Sequence, residues 1–381
     1  MRILACAGEA SGDMYAAEMV GRLRSFLPAA TFYGCTGPKL RDAGVETVIN
    51  SEKLSVVGLA EVVSHLPTIY GEYRRLIKYV RQHPPDAALL TDNPDFHLRL
   101  ARHLCAMGIP VYYLVAPQVW AWRQGRVNII RERVKELFCL FPFEEAWFRD
   151  RGVRAHYIGH PLASAVRPQR SRAEFLSRHQ LSAERKIVAL LPGSRPGEAR
   201  RHLPDVLDSV RILRQIFAAQ FLLGTPKGFE QRDVFRTFKE RIASLSIKVI
   251  EDETWDVLAH SDLALAASGT VTIEAAVLGT PTVAFYRVMP LSWWLGRSLV
   301  KVPYLSMVNL VAGKLVIPEL IQQQMTPANI CKAASNLLSN QAALTQMKTG
   351  LKEVKDMLAV SSDPLRQAAS IMADGLRPLR N

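Results

Sequence analysis

The stretch LALAASGTVTIE, residues 263–274, decides the fold that this sequence predicts. Residues 263–266 are apolar and predict a buried strand, whereas residues 270–278 predict a helix. The small residues Ser268 and Gly269 form the turn between them. A strand that passes through a short turn into a helix is the repeating unit of parallel α/β sheets. The second half of the chain is therefore expected to contain such a sheet.

The same alternation of short apolar runs and helical patterns continues on both sides of this stretch, which predicts the α/β class. The strands expected in the first half are 1–7, 31–35, 87–91, 110–115, 136–140 and 155–158. Those expected in the second half are 187–191, 220–223, 247–250, 263–266 and 281–286. Two Rossmann-like domains facing a central cleft are the simplest architecture for this pattern.

A strongly polar stretch at 167–186 separates the two sets of strands. It places the domains at 1–166 and 186–345, and a length of 381 residues also favours two domains of ordinary size. A last amphipathic helix is expected within 360–381. It could pack back on the first domain or onto a partner subunit, and a homodimer is left open.

The composition, 49% hydrophobic and 22% charged, is typical of a soluble globular protein and excludes a mainly disordered one. No apolar run reaches the roughly 20 residues that a membrane-spanning helix needs. The first apolar run is also too short for a signal peptide, so a cytoplasmic protein is expected. The five cysteines form no CxxC pair, and neither a disulfide framework nor a zinc site is predicted.

The net charge of +13 is spread over both halves of the chain. Such a field suits a phosphorylated substrate or an anionic membrane surface, or it serves only to keep the protein in solution. No signature of a nucleic-acid-binding module occurs, so nucleic acid is not expected as a partner.

The turn Ser268-Gly269-Thr270 is the first candidate binding site, because ligands of doubly wound sheets bind at the carboxyl ends of the strands. A helix N-terminus offers N–H groups and a partial positive charge to a phosphate. Glu274, one helical turn further on, is placed to accept hydrogen bonds from the two hydroxyls of a ribose. The alternative is an ordinary helix start followed by a surface glutamate.

A second candidate, Gly193-Ser194-Arg195, follows the predicted strand 187–191. Its backbone N–H groups and its guanidinium suit a phosphate, although a plain loop with a solvated arginine would look the same. The chain has no GxxxxGK[ST] loop, and no GxGxxG follows a strand. Both absences count against a kinase or a dehydrogenase.

The motif GEASGD, residues 8–13, follows the first predicted strand. Its glycines allow close approach to a ligand, but Glu9 and Asp13 would repel a phosphate, so a contact with a sugar or hydroxyl is predicted. Asp13 could equally be a helix N-cap. In TDNPDF, residues 91–96, Asp92 at the end of a strand is the candidate general base, and Asp95 is expected to cap the next helix.

The motif PQVWAWRQGR, residues 117–126, carries two tryptophans that could stack on a sugar or pack beneath the cleft. Together with the motifs above, it resembles the lipid-A-disaccharide synthase family. The resemblance also rests on FPFE at 141–144, IGHP at 158–161, LLPGSR at 190–195, SGTVTIE at 268–274 and SMVNL at 306–310, and it extends to about residue 320. Asn93 departs from the family pattern, since many relatives have a small residue there.

The resemblance implies a metal-independent, inverting glycosyltransferase of the GT-B type that uses no cofactor. Its expected substrates are UDP-2,3-diacylglucosamine and 2,3-diacylglucosamine 1-phosphate, and its expected products are a β-1,6-linked lipid A disaccharide 1-phosphate and UDP. It also implies a peripheral position on the inner face of the inner membrane of a Gram-negative bacterium.

The site residues follow from the resemblance position by position. Asp92 matches the essential acid of the family, and Arg195 and Asn309 match residues needed for activity. The expected UDP contacts are Gly193, Ser194, Ser268, Gly269, Thr270 and Glu274. The expected acceptor contacts are Glu9, Ser11, Gly12, Asp13, Trp122 and Arg126.

Two segments suit acylated substrates and anionic lipid. Residues 54–63 are apolar and precede a helix with four cations, and residues 291–297, with Lys301, mix aromatic residues and cations. Core packing beneath a solvated basic face is the alternative for both. Three rival functions are a UDP-N-acetylglucosamine 2-epimerase of the same fold, a nicotinamide-dependent oxidoreductase, and a lipid-binding protein without activity.

Overall fold

The computed structural model describes residues 1–54, 59–289, 293–294, 302–360 and 363–377, without the side chains of residue 53 and residues 59–66. The chain forms two compact units. The first comprises Met1–Pro161 and Leu358–Asn381, and the second comprises Leu162–Met357. Each unit is built on a parallel sheet, so the predicted α/β class with two such domains is confirmed.

The first unit contains seven strands: β1 (Arg2–Ala7), β2 (Thr31–Thr36), β3 (Glu46–Asn50), β4 (Ala87–Thr91), β5 (Val111–Leu114), β6 (Glu136–Cys139) and β7 (Ala155–Tyr157). Their order in the sheet is β3-β2-β1-β4-β5-β6-β7. The strand order reverses between β1 and β4, which pair in parallel with Ala7 opposite Thr91. Ligands of doubly wound sheets bind beyond such a reversal. The ends of β1 and β4 are therefore the place to look for a site.

The helices of this unit that precede the second unit in the chain are α1 (Ala10–Phe26), α2 (Pro38–Asp42), α3 (Leu59–Gln82), α4 (Pro94–Ala106), α5 (Val127–Arg133) and α6 (Pro142–Arg149). Helix α1 packs on the sheet through Tyr15, Met19 and Leu23, all of which are buried. Their i, i+4, i+8 spacing places them on one face of the helix. This face fixes the start of α1 against the end of β1.

The second unit contains six strands: β8 (Lys186–Leu191), β9 (Ala219–Thr225), β10 (Lys248–Glu251), β11 (Leu263–Ala267), β12 (Thr282–Tyr286) and β13 (Glu319–Ile321). The order is β10-β9-β8-β11-β12-β13, with the reversal between β8 and β11. Both strands are almost wholly buried and apolar, as expected for the centre of a parallel sheet. The two candidate phosphate-binding turns follow these two strands.

The helices of the second unit are α7 (Leu162–Ala165), α8 (Arg172–Arg178), α9 (Pro196–Ile216), α10 (Asp233–Ser244), α11 (Thr254–Ala259), α12 (Thr270–Leu278), α13 (Met307–Ala312), α14 (Pro327–Ser339) and α15 (Gln341–Leu358). Among the described residues, no helix is both long and apolar enough to span a membrane.

The polar stretch 167–186 belongs to the second unit, which begins at Leu162. The buried carboxylate of Asp256 accepts hydrogen bonds from the backbone N–H groups of Gln169, at 2.7 Å, and Arg170, at 3.0 Å. Phe175 of α8 lies in the hydrophobic core of this unit. The observed boundary therefore comes earlier in the chain than the polar composition predicts.

The last helix, α16 (Pro364–Asp374), packs on α1 of the first unit. Arg22 of α1 forms an ion pair with Asp363 at 2.7 Å, and the Arg366 guanidinium lies 5.3 Å from the centre of the Phe26 ring. Leu365 and Met372 are buried in the same contact. The end of the chain thus returns to the unit in which the chain begins.

Candidate active site

Asp92 lies directly after β4 and is fixed by the loop that follows β1. Its carboxylate accepts hydrogen bonds from the backbone N–H groups of Gly8, at 2.8 Å, and Glu9, at 3.1 Å. Gly12, in the first turn of α1, lies against the other side of this carboxylate. A Cβ atom added to Gly12 would lie only 1.7 Å from Oδ2 of Asp92. Gly12 therefore leaves the space that this carboxylate occupies.

The environment of Asp92 raises its pKa to about 7. Burial is the largest cause, and the negative charges of Glu9 and Asp13 act in the same direction. The two backbone N–H groups oppose the shift because they stabilise the charged form. A carboxyl group with this pKa can accept and release a proton near neutral pH.

The backbone of Asp92 is held as firmly as its side chain. Its carbonyl oxygen accepts a hydrogen bond from the Tyr113 hydroxyl on β5 and lies 2.8 Å from Nδ1 of His97 on α4. Neither partner was predicted as a site residue. Each looks like a core residue in the sequence. The strand order places Tyr113 beside Asp92, and the helix that follows β4 places His97 there.

Asp95 lies in the first turn of α4, but Asn93, not Asp95, occupies the N-cap position. The Asp95 carboxylate instead pairs with Arg126 and, at 3.4 Å, with Arg123. Its predicted capping role is therefore wrong, because two arginines of the loop after β5 reach the carboxylate. This pair holds Arg126 at the first turn of α4.

The two tryptophans of residues 117–126 have different positions. Trp120 is buried, and its indole N–H donates to Oε1 of Glu144 at 3.0 Å. Trp122 is 39% exposed and is covered on one face by the Arg123 guanidinium, 4.3 Å from the ring centre. Only Trp122 is therefore available to stack on a ligand.

Burial in this contact raises the pKa of Glu144 to about 7, against the effect of the Trp120 N–H group.

The other residues of 8–13 divide between surface and core. Glu9 and Ser11 are exposed at the start of α1. Asp13 is only 2% exposed, and its carboxylate accepts hydrogen bonds from the N–H groups of Gly37, at 2.9 Å, and Lys39, at 2.7 Å. Asp13 thus holds the start of α2 rather than its own helix. Its carboxylate is engaged by the protein, so its predicted sugar contact has no direct support.

The turn Ser268-Gly269-Thr270 leads from β11 into α12. It is called the donor turn below, because UDP is its predicted ligand. Gly269 is the N-cap residue, and Gly269 and Thr270 are exposed. A Cβ atom added to Gly269 would meet no atom within 4 Å, so the space beside the turn is open. Ser268 is tied by its N–H to Phe285 O at 2.8 Å. The helix N-terminus is thus accessible and rigidly attached to the sheet.

Glu274 lies on α12, one turn after Thr270, as predicted. Burial raises the pKa of Glu274, and a hydrogen bond from the Trp255 side chain on α11 lowers it. Trp255 was not predicted as a site residue. Nothing in its local sequence distinguishes it from a core aromatic residue.

The loop Gly193-Ser194-Arg195 leads from β8 into α9. Gly193 has a φ of +114°, which disfavours any residue with a side chain. Arg195 is 49% exposed and lies 3.9 Å from Glu198. Its guanidinium is therefore positioned at the start of a helix with much of its surface accessible to solvent.

His202 of α9 connects this loop to the loop after β12. Its Nδ1 donates to Pro192 O at 2.7 Å, and its Nε2 accepts from the Arg287 N–H at 3.1 Å. Burial lowers the pKa of His202, which favours the neutral form that this arrangement requires. His202 therefore orients the loops after two strands of the sheet.

Asn309, predicted to be catalytic, is fully buried. Its Oδ1 accepts from the N–H groups of Val316, at 2.7 Å, and Ile317, at 3.0 Å. Its Nδ2 donates to Ile317 O and to Oε1 of Glu319. Because both atoms of its amide group are engaged by the protein, Asn309 holds this loop in place.

Glu319 extends this network toward the donor turn. Its carboxylate accepts from the N–H groups of Leu305 and Ser306, each at 2.9 Å. The Ser268 hydroxyl in turn donates to Leu305 O at 3.4 Å. Asn309 is thus connected to Ser268 through Glu319 and Leu305.

A cavity of 250 Å³ lies elsewhere in the second unit, beside Lys186, Asp262 and Pro281. These residues precede or begin strands, so the cavity lies at the amino ends of the strands and not at the candidate site.

Within the part of the chain that the structure describes, no group of three or more His, Cys, Asp or Glu side chains could hold a metal ion.

The fold and these turns define a class of α/β proteins known as GT-B. A UDP-GlcNAc 2-epimerase from Neisseria meningitidis, solved bound to UDP-GlcNAc, superposes with a TM-score of 0.62 at 14% identity, over 100% of both chains. The glycosyltransferase of kitacinnamycin gives a TM-score of 0.60 at 15% identity, over 99% of this chain and 98% of its own. At such identities the likeness shows the fold alone.

Sequence comparison identifies the family. A family model described as lipid-A-disaccharide synthetase matches residues 3–372. The lipid-A-disaccharide synthase of Solibacter usitatus is 54% identical over 94% of this chain and 93% of its own. That of Myxococcus xanthus is 38% identical over 97% of both chains. The chain belongs to the lipid-A-disaccharide synthase family, as its motifs predicted.

Proposed function

We propose that this protein joins UDP-2,3-diacylglucosamine to 2,3-diacylglucosamine 1-phosphate, giving the β-1,6-linked lipid A disaccharide 1-phosphate and UDP. Membership of the family supports a lipid-A-disaccharide synthase. The observation that carries the chemistry is the Asp92 carboxylate, which is oriented by two N–H groups at the end of β4 and has a pKa of about 7.

Asp92 acts as the general base in this mechanism. It accepts the proton of the acceptor 6-hydroxyl while that oxygen attacks the anomeric carbon from the face opposite UDP. The new C–O bond forms as the bond to the diphosphate breaks, and this single displacement inverts the anomeric centre. Trp122 and Arg126 contact the acceptor sugar, because both are at least partly exposed and Arg126 is held beside α4 by Asp95.

The diphosphate that leaves carries additional negative charge. The N-terminus of α12 at Ser268-Gly269-Thr270 and the Arg195 guanidinium stabilise this charge and make a metal ion unnecessary. Glu274 accepts hydrogen bonds from the ribose. Gly193 and Ser194 contribute backbone N–H groups, and Asn309 acts as a positioning residue through Glu319.

Acylated substrates place the protein on the inner face of the inner membrane. Arg74, Arg75, Lys78 and Arg81 are exposed on α3. Arg81 and Arg102 of α4 both lower the pKa of His103, after the larger effect of burial. Such a basic face attracts anionic lipid. Of the apolar segment 54–63, residues 55–58 lie outside the described residues, and residues 59–63 form the start of α3. Most of 291–301 also lies outside the described residues, and the described Trp294 is 64% exposed.

Liposome flotation tests this surface. Binding to anionic vesicles should fall when Arg74, Arg75, Lys78 and Arg81 are all replaced by glutamine, and it should also fall at high salt. Binding that is equal on neutral and anionic vesicles would contradict an electrostatic contribution.

The reaction is tested by measuring UDP release and disaccharide formation with the two acylated substrates, with and without a chelator. We expect Asp92→Asn to lower turnover at least about 100-fold, because the amide cannot accept the proton. UDP affinity should stay within about twofold, since Asp92 belongs to the first unit.

Activity that is lost with the chelator would contradict the metal-free mechanism. Conversion of UDP-N-acetylglucosamine to its 2-epimer, without disaccharide formation, would favour the epimerase alternative.

A further inference from the structure

Asp92 and Asn93 form an unusual pair of residues, because both have a left-handed backbone. Their φ angles are +54° and +38°. Neither is glycine, and such conformations raise the free energy of the folded chain unless the surroundings impose them. The turn between β4 and α4 therefore needs interactions that hold it in place.

Tyr113 and His97 supply these interactions at the Asp92 carbonyl. Both side chains are fully buried, and they approach the same oxygen from different elements, β5 and α4. A carbonyl oxygen only accepts hydrogen bonds, so the Tyr113 hydroxyl donates and Nδ1 of His97 carries a proton. Nε2 of His97 is buried and has no hydrogen-bond partner among the described residues.

Both donors keep their protons over the whole range in which Asp92 titrates. Burial raises the pKa of Tyr113 well above its ordinary value, so its hydroxyl stays protonated. Burial lowers the pKa of His97 to about 4, so near neutral pH His97 is a neutral imidazole that keeps the one proton on Nδ1. The other ionisable groups that face Asp92 are Glu9 just before α1, Asp13 of α1 and Cys35 of β2. The geometry of the carbonyl contact thus stays constant while the carboxyl group ionises.

We propose that Tyr113 and His97 are positioning residues that hold the turn at Asp92, so that its carboxylate reaches the N–H groups of Gly8 and Glu9. This inference rests on the proposed role of Asp92 as the base. Without the two donors the turn relaxes and the carboxylate loses its N–H partners. Since those partners lower the pKa of Asp92, their loss raises it and leaves less of the base ionised at neutral pH.

The first test is Tyr113→Phe, with Tyr112→Phe as its matched control. Tyr112 is the preceding residue on β5, but its buried hydroxyl lies against Gly375. We expect Tyr113→Phe to lower kcat/KM at pH 7 about tenfold, as for loss of one hydrogen bond. The rise of rate with pH should move about one unit upward, so that activity recovers at high pH. Tyr112→Phe should change neither kcat/KM at pH 7 nor the pH at which the rate rises.

The second test uses His97. His97→Leu removes the donor, whereas His97→Asn places an amide N–H near the position of Nδ1. We expect the Asn variant to recover most of the activity that the Leu variant loses. An equal loss of activity in His97→Leu and His97→Asn, at equal thermal stability, would contradict the role of the Nδ1 proton.

A measurement independent of turnover separates this inference from the proposed function. The Asp92 carboxyl group can be titrated by carbon-13 NMR in aspartate-labelled protein, with Asp92→Asn identifying its signal. A higher Asp92 pKa in Tyr113→Phe than in Tyr112→Phe supports the positioning role. Equal Asp92 pKa values in the two variants would overturn the positioning role, even if Asp92→Asn abolishes turnover. Retained turnover in Asp92→Asn would instead remove Asp92 as the base.

Discussion

The contact between Gly12 and Asp92 joins the first helix of the chain to the fourth strand of its sheet. No atom larger than hydrogen fits between the Gly12 Cα and the Asp92 carboxylate. Glycine in the first turns of a helix normally lowers helix stability. Its presence here is explained by the space that the carboxylate needs, not by the helix.

Gly12→Ala should therefore displace the Asp92 carboxylate and lower turnover about as far as Asp92→Asn, roughly 100-fold. Gly21→Ala on the same helix is the control, because a Cβ atom there meets nothing within 4 Å. That change should leave turnover intact and raise the melting temperature slightly. The measurement is steady-state UDP release together with thermal unfolding. Equal turnover in both variants would contradict the role of Gly12.

The sequence predicted Asp92 because it stands at the end of an apolar strand, and strand ends are visible in a local pattern. It could not predict Tyr113, whose contact with Asp92 depends on β5 lying next to β4, or His97, which looks like a core residue of the next helix. It also could not distinguish Trp120 from Trp122. The two are only two residues apart, and a partner from a distant helix, Glu144, decides which one is buried.

At the scale of elements, the strands that were predicted include all those in the middle of each sheet and the edge strands β7 and β10. The strands β3 and β13, at the opposite edge of each sheet, were not predicted. Edge strands are exposed on one side, and β3 alternates little between buried and exposed positions. Their formation depends on pairing with a neighbouring strand more than on their own composition.

Asn309 holds a loop that is linked to the donor turn through Glu319 and Leu305. Asn309→Ala removes four hydrogen bonds and leaves buried backbone N–H groups without a partner. We expect a loss of about 2–4 kcal/mol in stability and weaker UDP binding, on the order of tenfold, as the donor turn loses its support. The control is Asn329→Ala, which removes an exposed hydrogen bond to Gln324 O.

Thermal unfolding and UDP titration measure these effects. A variant with wild-type UDP affinity and reduced turnover would show that Asn309 acts on the chemistry and not through the donor turn.

At the scale of the whole molecule, the first unit is made of two separate pieces of chain. Removal of residues 360–381 would uncover the face of α1 that α16 covers, including the contacts of Leu365 and Met372. We expect this truncation to lower the melting temperature of the first unit and to abolish turnover. Binding of UDP, for which a site in the second unit is proposed, should persist. Unchanged turnover would show that α16 has no part in supporting Asp92.

The return of the chain to its first unit also affects how the protein is made. The ribosome must complete the whole second unit, residues 162–357, before the last helix emerges. At ordinary rates of synthesis this takes roughly ten to forty seconds. During that time the nascent first unit exposes the apolar surface of α1 that α16 later covers. Newly made chains should therefore bind ribosome-associated chaperones until α16 has emerged, and its emergence becomes the step that completes the first unit.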